Sequence, residues 1–67
     1  MITIHLDEQP LRVAAGTTLA SLIAQQQRPP ESVATACNGQ FVAREARAGT
    51  TLNDGDQVLL FKPIVGG

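Results

Sequence analysis

A chain of 67 residues with a formal net charge of −1 has room for one small domain. Its content of 43% hydrophobic and 16% charged residues excludes a disordered, highly charged chain. The five basic residues are scattered singly and there are only two aromatic residues, so we expect no nucleic-acid binding, which needs a clustered basic face or bases stacked on aromatic rings.

The first predicted element is a β-hairpin. Hydrophobic residues alternate with polar ones over Ile2–Leu6, the period of a half-buried strand. Residues 7–10 (DEQP) predict a turn, and Leu11 and Val13 resume the alternation in a second strand.

A single short helix is predicted to follow the hairpin. Thr17 and Thr18 are favourable N-cap residues, and apolar residues then recur at i, i+3 and i+4. This spacing predicts a helix over Leu19–Gln27 with one apolar stripe. We expect it to end before Pro29, because a proline disfavours helical geometry at the residue that precedes it.

The second half of the chain predicts three more strands. Val33–Cys37 and Gln40–Val42 flank Asn38-Gly39, a pair that suits a type I′ hairpin turn because both residues tolerate positive φ. Residues 43–51 fit either a helical turn or an irregular crossing. The turn-forming residues 52–56 (LNDGD) then lead into Gln57–Phe61, the most hydrophobic strand.

The resulting order, β-β-α-β-β-β, predicts an α+β fold of the β-grasp type. One helix can cover only one face of such a sheet. We therefore expect a mixed sheet of about five strands with the first and last strands parallel at its centre. Residues 1–62 would form this domain and residues 63–67 a flexible tail.

The last strand predicts a docking surface on the uncovered face. If Val58 and Leu60 point to the core, then Leu59 and Phe61 point to the opposite face, which His5 of the first strand would share. An apolar central strand is also typical of a sheet buried on both sides. We favour docking because no second helix is available to cover that face.

The sequence ends in Gly66-Gly67, and this pair predicts a reactive tail. Pro63 has no N–H for a sheet ladder, so the sheet should end there, leaving four residues that can reach about 13–14 Å. Glycine fits a narrow channel, while Ile64 and Val65 could anchor in an apolar groove. A frayed or engineered end is the alternative.

The Gly67 carboxylate would be ionised at neutral pH, and it needs activation before a nucleophile can attack it. Adenylation by ATP would supply a leaving group, and a sulfur nucleophile could then displace AMP to give a thiocarboxylate. The sequence has no Gly-rich phosphate-binding loop, so we expect no bound cofactor, and ATP and Mg²⁺ would be used by a partner enzyme.

The other chemically reactive residues predict structural roles. Cys37 is the only cysteine, which excludes an internal disulfide and a four-thiolate iron–sulfur cluster, and we interpret it as a small buried residue. Asp54 and Asp56 flank Gly55 and suit a turn better than a calcium site. We expect no metal site and no catalytic residue. Since no segment resembles a signal peptide or a membrane span, a cytoplasmic location without membrane contact is expected.

Four segments in order carry a family resemblance: TTLASLI at the helix, ACNGQFVAR across the middle hairpin, LNDGDQVLLF at the last strand, and the terminal Gly66-Gly67. Together they resemble the ThiS family, the ubiquitin-like β-grasp sulfur carriers of bacterial thiamine biosynthesis. The resemblance implies that an E1-like adenylyltransferase (ThiF type) adenylates Gly67. A cysteine desulfurase relay would supply sulfur, and thiazole synthase (ThiG type) would take it from the thiocarboxylate.

Three other functions remain open from the sequence. The small subunit of molybdopterin synthase has the same fold and tail, although it tends to be longer and more aromatic near its end. A ubiquitin-like protein modifier would instead join Gly67 to a lysine through an isopeptide bond. A plain interaction domain would have a chemically inert tail.

Overall fold

The protein, in a computed structural model that describes residues 1–62, forms one five-stranded sheet with one α-helix packed on it. Two short 3₁₀ helices, Pro30–Ser32 and Arg44–Gly49, complete the described part of the chain. The strands and the helix are β1 (Ile2–Leu6), β2 (Gln9–Val13), α1 (Leu19–Gln25), β3 (Ala34–Cys37), β4 (Gln40–Val42) and β5 (Gln57–Phe61).

The sheet has the predicted β-grasp arrangement. Its strand order is β2-β1-β5-β3-β4, so the first and last strands lie side by side at the centre. These two strands run parallel, whereas the pairs β1–β2, β3–β5 and β3–β4 are antiparallel. The parallel pair forms because α1 and the segment after it carry the chain across one face before β5 enters the sheet.

The core lies between α1 and this face of the sheet. Because apolar residues recur along one side of the helix and along one parity of each central strand, both surfaces bury the same kind of side chain. Apolar residues that are at most 6% exposed form the cluster: Ile4, Val13, Leu19, Leu22, Ile23, Val33, Leu52 and Val58. All apolar residues predicted to face the core on β1 and α1 belong to this cluster or pack against it.

Helix α1 begins as the sequence predicts and ends earlier. Thr18 is its N-cap, and the Thr18 side chain accepts a hydrogen bond from the Ser21 N–H over 3.2 Å. The predicted end at Gln27 is wrong, because the helix ends at Gln25 and Gln27 adopts a left-handed φ of 59°. A left-handed residue just past the last turn is a common helix terminator, so the helix stops before the prolines act.

The first hairpin turn is tighter than predicted. Only Asp7 and Glu8 form it, with φ values of 50° and 71°, and Pro10 belongs to β2 rather than to the turn. Pro10 is tolerated there because β2 is an edge strand, where one side of the ladder needs no donor. The turn was mispredicted because two-residue turns with positive φ usually contain glycine or asparagine.

In the middle of the chain, the structure confirms the predicted hairpin and shows which conformation residues 43–51 adopt. Asn38 and Gly39 both have positive φ, 53° and 81°, as the type I′ turn requires. Residues 43–51, for which a helical turn was one alternative, contain the 3₁₀ helix Arg44–Gly49. Strand β3 begins one residue later than predicted, at Ala34, because Val33 caps the preceding 3₁₀ helix.

Candidate functional site

The face of the sheet opposite α1 carries the residues predicted for docking. Residue pairs directly opposite each other share a face, and Gln57 lies opposite His5 across the β5–β1 pair. Alternation along β5 then places Leu59 and Phe61 on the same face as His5. Leu59 and Phe61 are 45% and 46% exposed, whereas the intervening Leu60 is half-buried against the core. The predicted assignment of the two parities is therefore confirmed.

Phe41 is a fourth large residue of this face, and the sequence interpretation missed it. The register pairs Phe41 with Ala36 and Ala36 with Leu59, so the three side chains form one row across β4, β3 and β5. Phe41 is 69% exposed. The two-residue turn at Asn38-Gly39 fixes the pairing of Cys37 with Gln40, and counting outward from this turn would have identified Phe41.

The face divides into two halves of different polarity. The polar half lies on β2, β1 and the start of β5, with Thr3, His5, Pro10, Arg12 and Gln57 on this side of the sheet. The apolar half lies on β5, β3 and β4 and consists of Ala34, Ala36, Phe41, Leu59 and Phe61. The small side chain of Ala34, between Phe41 and Phe61, leaves room for a groove in this half.

A groove runs along the apolar half toward the end of β5. Phe41 and Phe61 form its two walls, with Ala34 between them. Charged residues of both signs line its margin: Glu31, Arg44, Glu45 and Lys62. An apolar floor with a charged margin is typical of a surface that binds another protein.

The position of β5 depends on the turn that precedes it. The Asp54 carboxylate accepts a hydrogen bond from the Thr3 N–H over 2.8 Å, and the Gly55 N–H donates to the Thr3 carbonyl over 2.7 Å. Gly55 has a φ of 87°, a conformation that glycine adopts without strain. The Asp56 carboxylate accepts from the Asn53 N–H over 2.8 Å. The prediction that these aspartates form a turn is confirmed.

Near the other end of β5, the side chain of Asp7 takes the place of a backbone hydrogen-bond partner from β1. Strand β1 pairs with β5 only as far as Leu6 and Val58, because the chain turns away at Asp7. The Asp7 N–H donates to the Val58 carbonyl over 2.9 Å, and the Asp7 carboxylate accepts from the Leu60 N–H over 3.1 Å. Asp7 therefore closes the hydrogen-bond ladder between these strands.

Arg47 is a buried residue that the sequence interpretation did not identify. It is 3% exposed, although its neighbour Arg44 on the same 3₁₀ helix is exposed. Its guanidinium donates to the carbonyls of Pro30 and Val33 over 2.9 and 2.7 Å and to the Thr35 hydroxyl over 3.1 Å. Burial, followed by the charge of Arg44, lowers the pKa of Arg47 from its ordinary value. Arg47 thus supports β3 from below the apolar half.

Cys37 is a half-buried thiol at the end of β3 and not an activated one. Burial is the main cause that raises the pKa of the Cys37 thiol, and the charge of Asp56 raises it further. Its Sγ lies 4.0 Å from a carboxylate oxygen of Asp56. A raised pKa reduces the thiolate fraction at neutral pH, which agrees with the interpretation of Cys37 as a packing residue.

The predicted tail residues Ile64, Val65, Gly66 and Gly67 lie outside the residues that the structure describes, as does the predicted end of the sheet at Pro63. The described part of the chain ends at Lys62, an exposed residue directly after β5. Lys62 itself lines the groove of the apolar half.

Residues 1–62 hold no group of three or more histidine, cysteine, aspartate or glutamate side chains arranged to bind a metal ion. None of the helices in this part of the chain has the length and apolar character needed to cross a membrane.

Comparisons with known proteins give a consistent result. Residues 2–67 match the ThiS family model. The sulfur carrier protein ThiS of Escherichia coli (strain K12) is 41% identical over 64 residues, which cover 96% of this chain and 97% of that protein. The crystal structure of a thiamine biosynthesis protein (ThiS) from Geobacter metallireducens superposes with a TM-score of 0.86 at 28% identity, over 98% of this chain and 100% of that chain. A solution NMR structure of a thiamine biosynthesis protein from the same organism gives a TM-score of 0.78 at 28% identity, over 98% and 88% of the two chains.

Proposed function

This chain belongs to the ThiS family, and on that premise we propose that it carries sulfur for the formation of the thiazole ring in thiamine biosynthesis. The single observation that carries the proposal is the family match over residues 2–67, which includes the Gly66-Gly67 end. The full-length similarity to a sulfur carrier protein of Escherichia coli supports thiamine over the molybdopterin pathway.

The proposed chemistry takes place at the carboxyl group of Gly67. One carboxylate oxygen attacks the α-phosphorus of ATP, pyrophosphate leaves, and an acyl adenylate forms. The terminal sulfur of a relay persulfide, formed from cysteine by a desulfurase, then attacks the carbonyl carbon, and AMP leaves with its electron pair. A thiol cleaves the resulting acyl disulfide by forming a new disulfide with the relay sulfur, and the released product is a thiocarboxylate whose sulfur the thiazole synthase accepts.

The chain acts as a substrate of these enzymes in this proposal and not as an enzyme itself. An E1-like adenylyltransferase binds ATP and Mg²⁺ and provides the charge that stabilises the departing phosphates. The raised pKa of the Cys37 thiol supports this division of roles, because a mostly protonated thiol is a poor nucleophile for the transfer of sulfur within the domain.

The apolar half and the polar half of the outer face provide the docking surface in this proposal. Leu59 and Phe61 lie on the strand that leads directly into the tail, so a partner that holds these side chains also fixes where residue 63 begins. Fixing the base of a tail only four or five residues long restricts the positions that Gly67 can reach. Docking and delivery of the carboxyl group are therefore coupled by geometry.

A growth test can examine this function. The gene would be expressed in a bacterium that lacks its own thiazole sulfur carrier, on medium without thiamine or thiazole. We expect the intact chain to restore growth, and a variant without Gly66 and Gly67 to fail at an equal protein level. Rescue of a strain that lacks the molybdopterin synthase small subunit, but not of the thiazole strain, would contradict the proposal.

A further inference from the structure

Strand β5 extends past the end of β1, and this offset leaves part of one edge of β5 open at the centre of the sheet. On one side, β3 pairs with β5 from Val58 to Phe61. On the other side, β1 pairs only with Gln57 and Val58. Past Val58, no other described residue pairs through its backbone with this second side of β5.

The hydrogen bonds show which residues face the open side. The Gln57 carbonyl accepts from the Asn38 N–H over 2.7 Å, so odd-numbered residues of β5 direct their backbone groups toward β3. The Val58 carbonyl and the Leu60 N–H are both bonded to Asp7, so even-numbered residues face the side of β1. By this alternation, the Leu60 carbonyl and the Lys62 N–H face the open edge.

On this side of β5, the last hydrogen bond from a described residue is the one made by the Asp7 side chain. Its carboxylate satisfies the Leu60 N–H and places a negative charge at the start of the open edge. Charged side chains at strand edges discourage unwanted pairing between sheets. The positions beyond Asp7 remain available for a strand that reaches them from another molecule.

The odd-numbered position of Pro63 in the sequence is also compatible with an open edge on the side of β1. Pro63 cannot donate a hydrogen bond, and in an extended chain this odd-numbered position would face the side of β3. The even-numbered positions 62, 64 and 66, which keep their N–H groups, would face the open side. A proline at this position therefore removes no donor from the even-numbered positions.

We propose that an extended segment of the adenylyltransferase adds a strand to the open edge of β5, in line with β1, and hydrogen-bonds to the Leu60 carbonyl and the Lys62 N–H. This inference rests on the proposed function, because it assumes that such an enzyme binds the tail. A strand added here would hold the tail extended through backbone groups, while Leu59 and Phe61 fill pockets on one side of it. Recognition through the backbone would fix the depth to which Gly67 enters the enzyme.

The test compares Lys62→Pro with Lys62→Ala in binding to the adenylyltransferase of the same organism. Both variants lose the lysine side chain, but only Lys62→Pro loses the N–H. Proline keeps the preceding Phe61 in an extended conformation, which that residue already has in β5. We expect Lys62→Pro to weaken binding by about tenfold relative to Lys62→Ala, because it leaves a buried acceptor of the enzyme without a donor. Equal affinities of the two variants would overturn the proposal.

Amide hydrogen exchange of the unmodified chain gives a second measurement that does not depend on a variant. We expect exchange at the Lys62 amide to slow by more than about tenfold when the enzyme binds, as for a hydrogen-bonded strand. If the complex forms and the exchange rate of the Lys62 amide is unchanged, the proposed strand addition is wrong but the proposed function stands. A chain that the enzyme neither binds nor adenylates would instead overturn the proposed function.

Discussion

The guanidinium Nε of Arg47 donates a hydrogen bond to the hydroxyl of Thr35 over 3.1 Å, and both residues are buried. The Thr35 hydroxyl in turn donates to the Val42 carbonyl over 2.9 Å. This chain of contacts joins the second 3₁₀ helix to β3 and β4, the two neighbouring strands that carry Ala34, Ala36 and Phe41. A polar network below the sheet therefore supports the apolar half above it.

Replacing Arg47 should destabilise the domain strongly. Arg47→Met keeps most of the apolar stem but leaves the Pro30 and Val33 carbonyls and the Thr35 hydroxyl without their donor. Each buried group left unsatisfied costs about 1–3 kcal/mol, so we expect a loss of about 3 kcal/mol or more in the free energy of unfolding. Urea denaturation followed by circular dichroism would measure it.

Arg44→Met is the matched control for this experiment, because Arg44 is exposed on the same 3₁₀ helix. Its effect should stay within about 0.5 kcal/mol. Equal effects of the two substitutions would show that the hydrogen bonds of Arg47 add no stability beyond the general contribution of a basic side chain. A coupling energy near zero between Arg47→Met and Thr35→Val would show the same for that pair.

A negative charge in the apolar half should weaken binding to the adenylyltransferase without unfolding the domain. Phe41 and Phe61 are 69% and 46% exposed and neither belongs to the core cluster, so Phe41→Glu and Phe61→Glu leave that cluster intact. Aromatic residues at the centre of an interface often contribute 2 kcal/mol or more, so we expect each variant to bind about 30-fold more weakly. Isothermal titration calorimetry would measure the dissociation constants.

Two controls locate this effect on the surface. Gln25 is an exposed residue of α1, on the opposite side of the sheet, so Gln25→Glu should leave the affinity for the adenylyltransferase unchanged. His5→Ala tests the polar half of the same face and should weaken binding by less than about threefold, as is common for residues at an interface margin. Wild-type affinity in both phenylalanine variants would reject the apolar half as a docking surface.

Raising the pH should destabilise the protein through Cys37. Because the pKa of the Cys37 thiol is raised in the folded state, the protonated thiol stabilises the fold below the unfolded-state pKa, which is about 8.5 for a free thiol. This stabilisation is lost as the pH rises through the higher folded-state pKa. The difference in unfolding free energy between wild type and Cys37→Ala should therefore decrease over this range, measured under reducing conditions.

A difference that stays constant across that range would contradict the raised pKa. Alkylation rates give an independent check at a pH near neutrality. Iodoacetamide should react more slowly with Cys37 in the folded protein than in urea, since both partial burial and a smaller thiolate fraction oppose the reaction.

The sequence predicted features that depend on periodicity and on strong turn residues. The exposed positions of Leu59 and Phe61 follow from alternation, and the hairpin at Asn38-Gly39 follows from residues that tolerate positive φ. A turn was predicted over residues 7–10, but its two-residue form at Asp7-Glu8 was not, because Glu8 is not typical of a positive φ. Its tight geometry is what places the Asp7 carboxylate beside Leu60.

Long-range contacts account for the rest of what was missed. Arg47 looks like a surface residue in its local sequence, and its burial depends on carbonyls at Pro30 and Val33 that the fold brings near it. Charged residues are seldom buried, so composition favours the wrong environment for this side chain. The hairpin turn alone places Phe41 opposite Ala36, but the row that Phe41 forms with Leu59 depends on the long-range register of β3 with β5.

The most direct test of the proposed function is the intact mass of the chain after incubation with its adenylyltransferase, Mg-ATP and a sulfur donor. The proposal predicts a gain equal to the replacement of one oxygen by sulfur, located at Gly67 by fragmentation and absent without ATP. A control chain that lacks Gly67 should show no gain. An unchanged mass for the full chain, with an enzyme that modifies its own established carrier in parallel, would contradict the central claim.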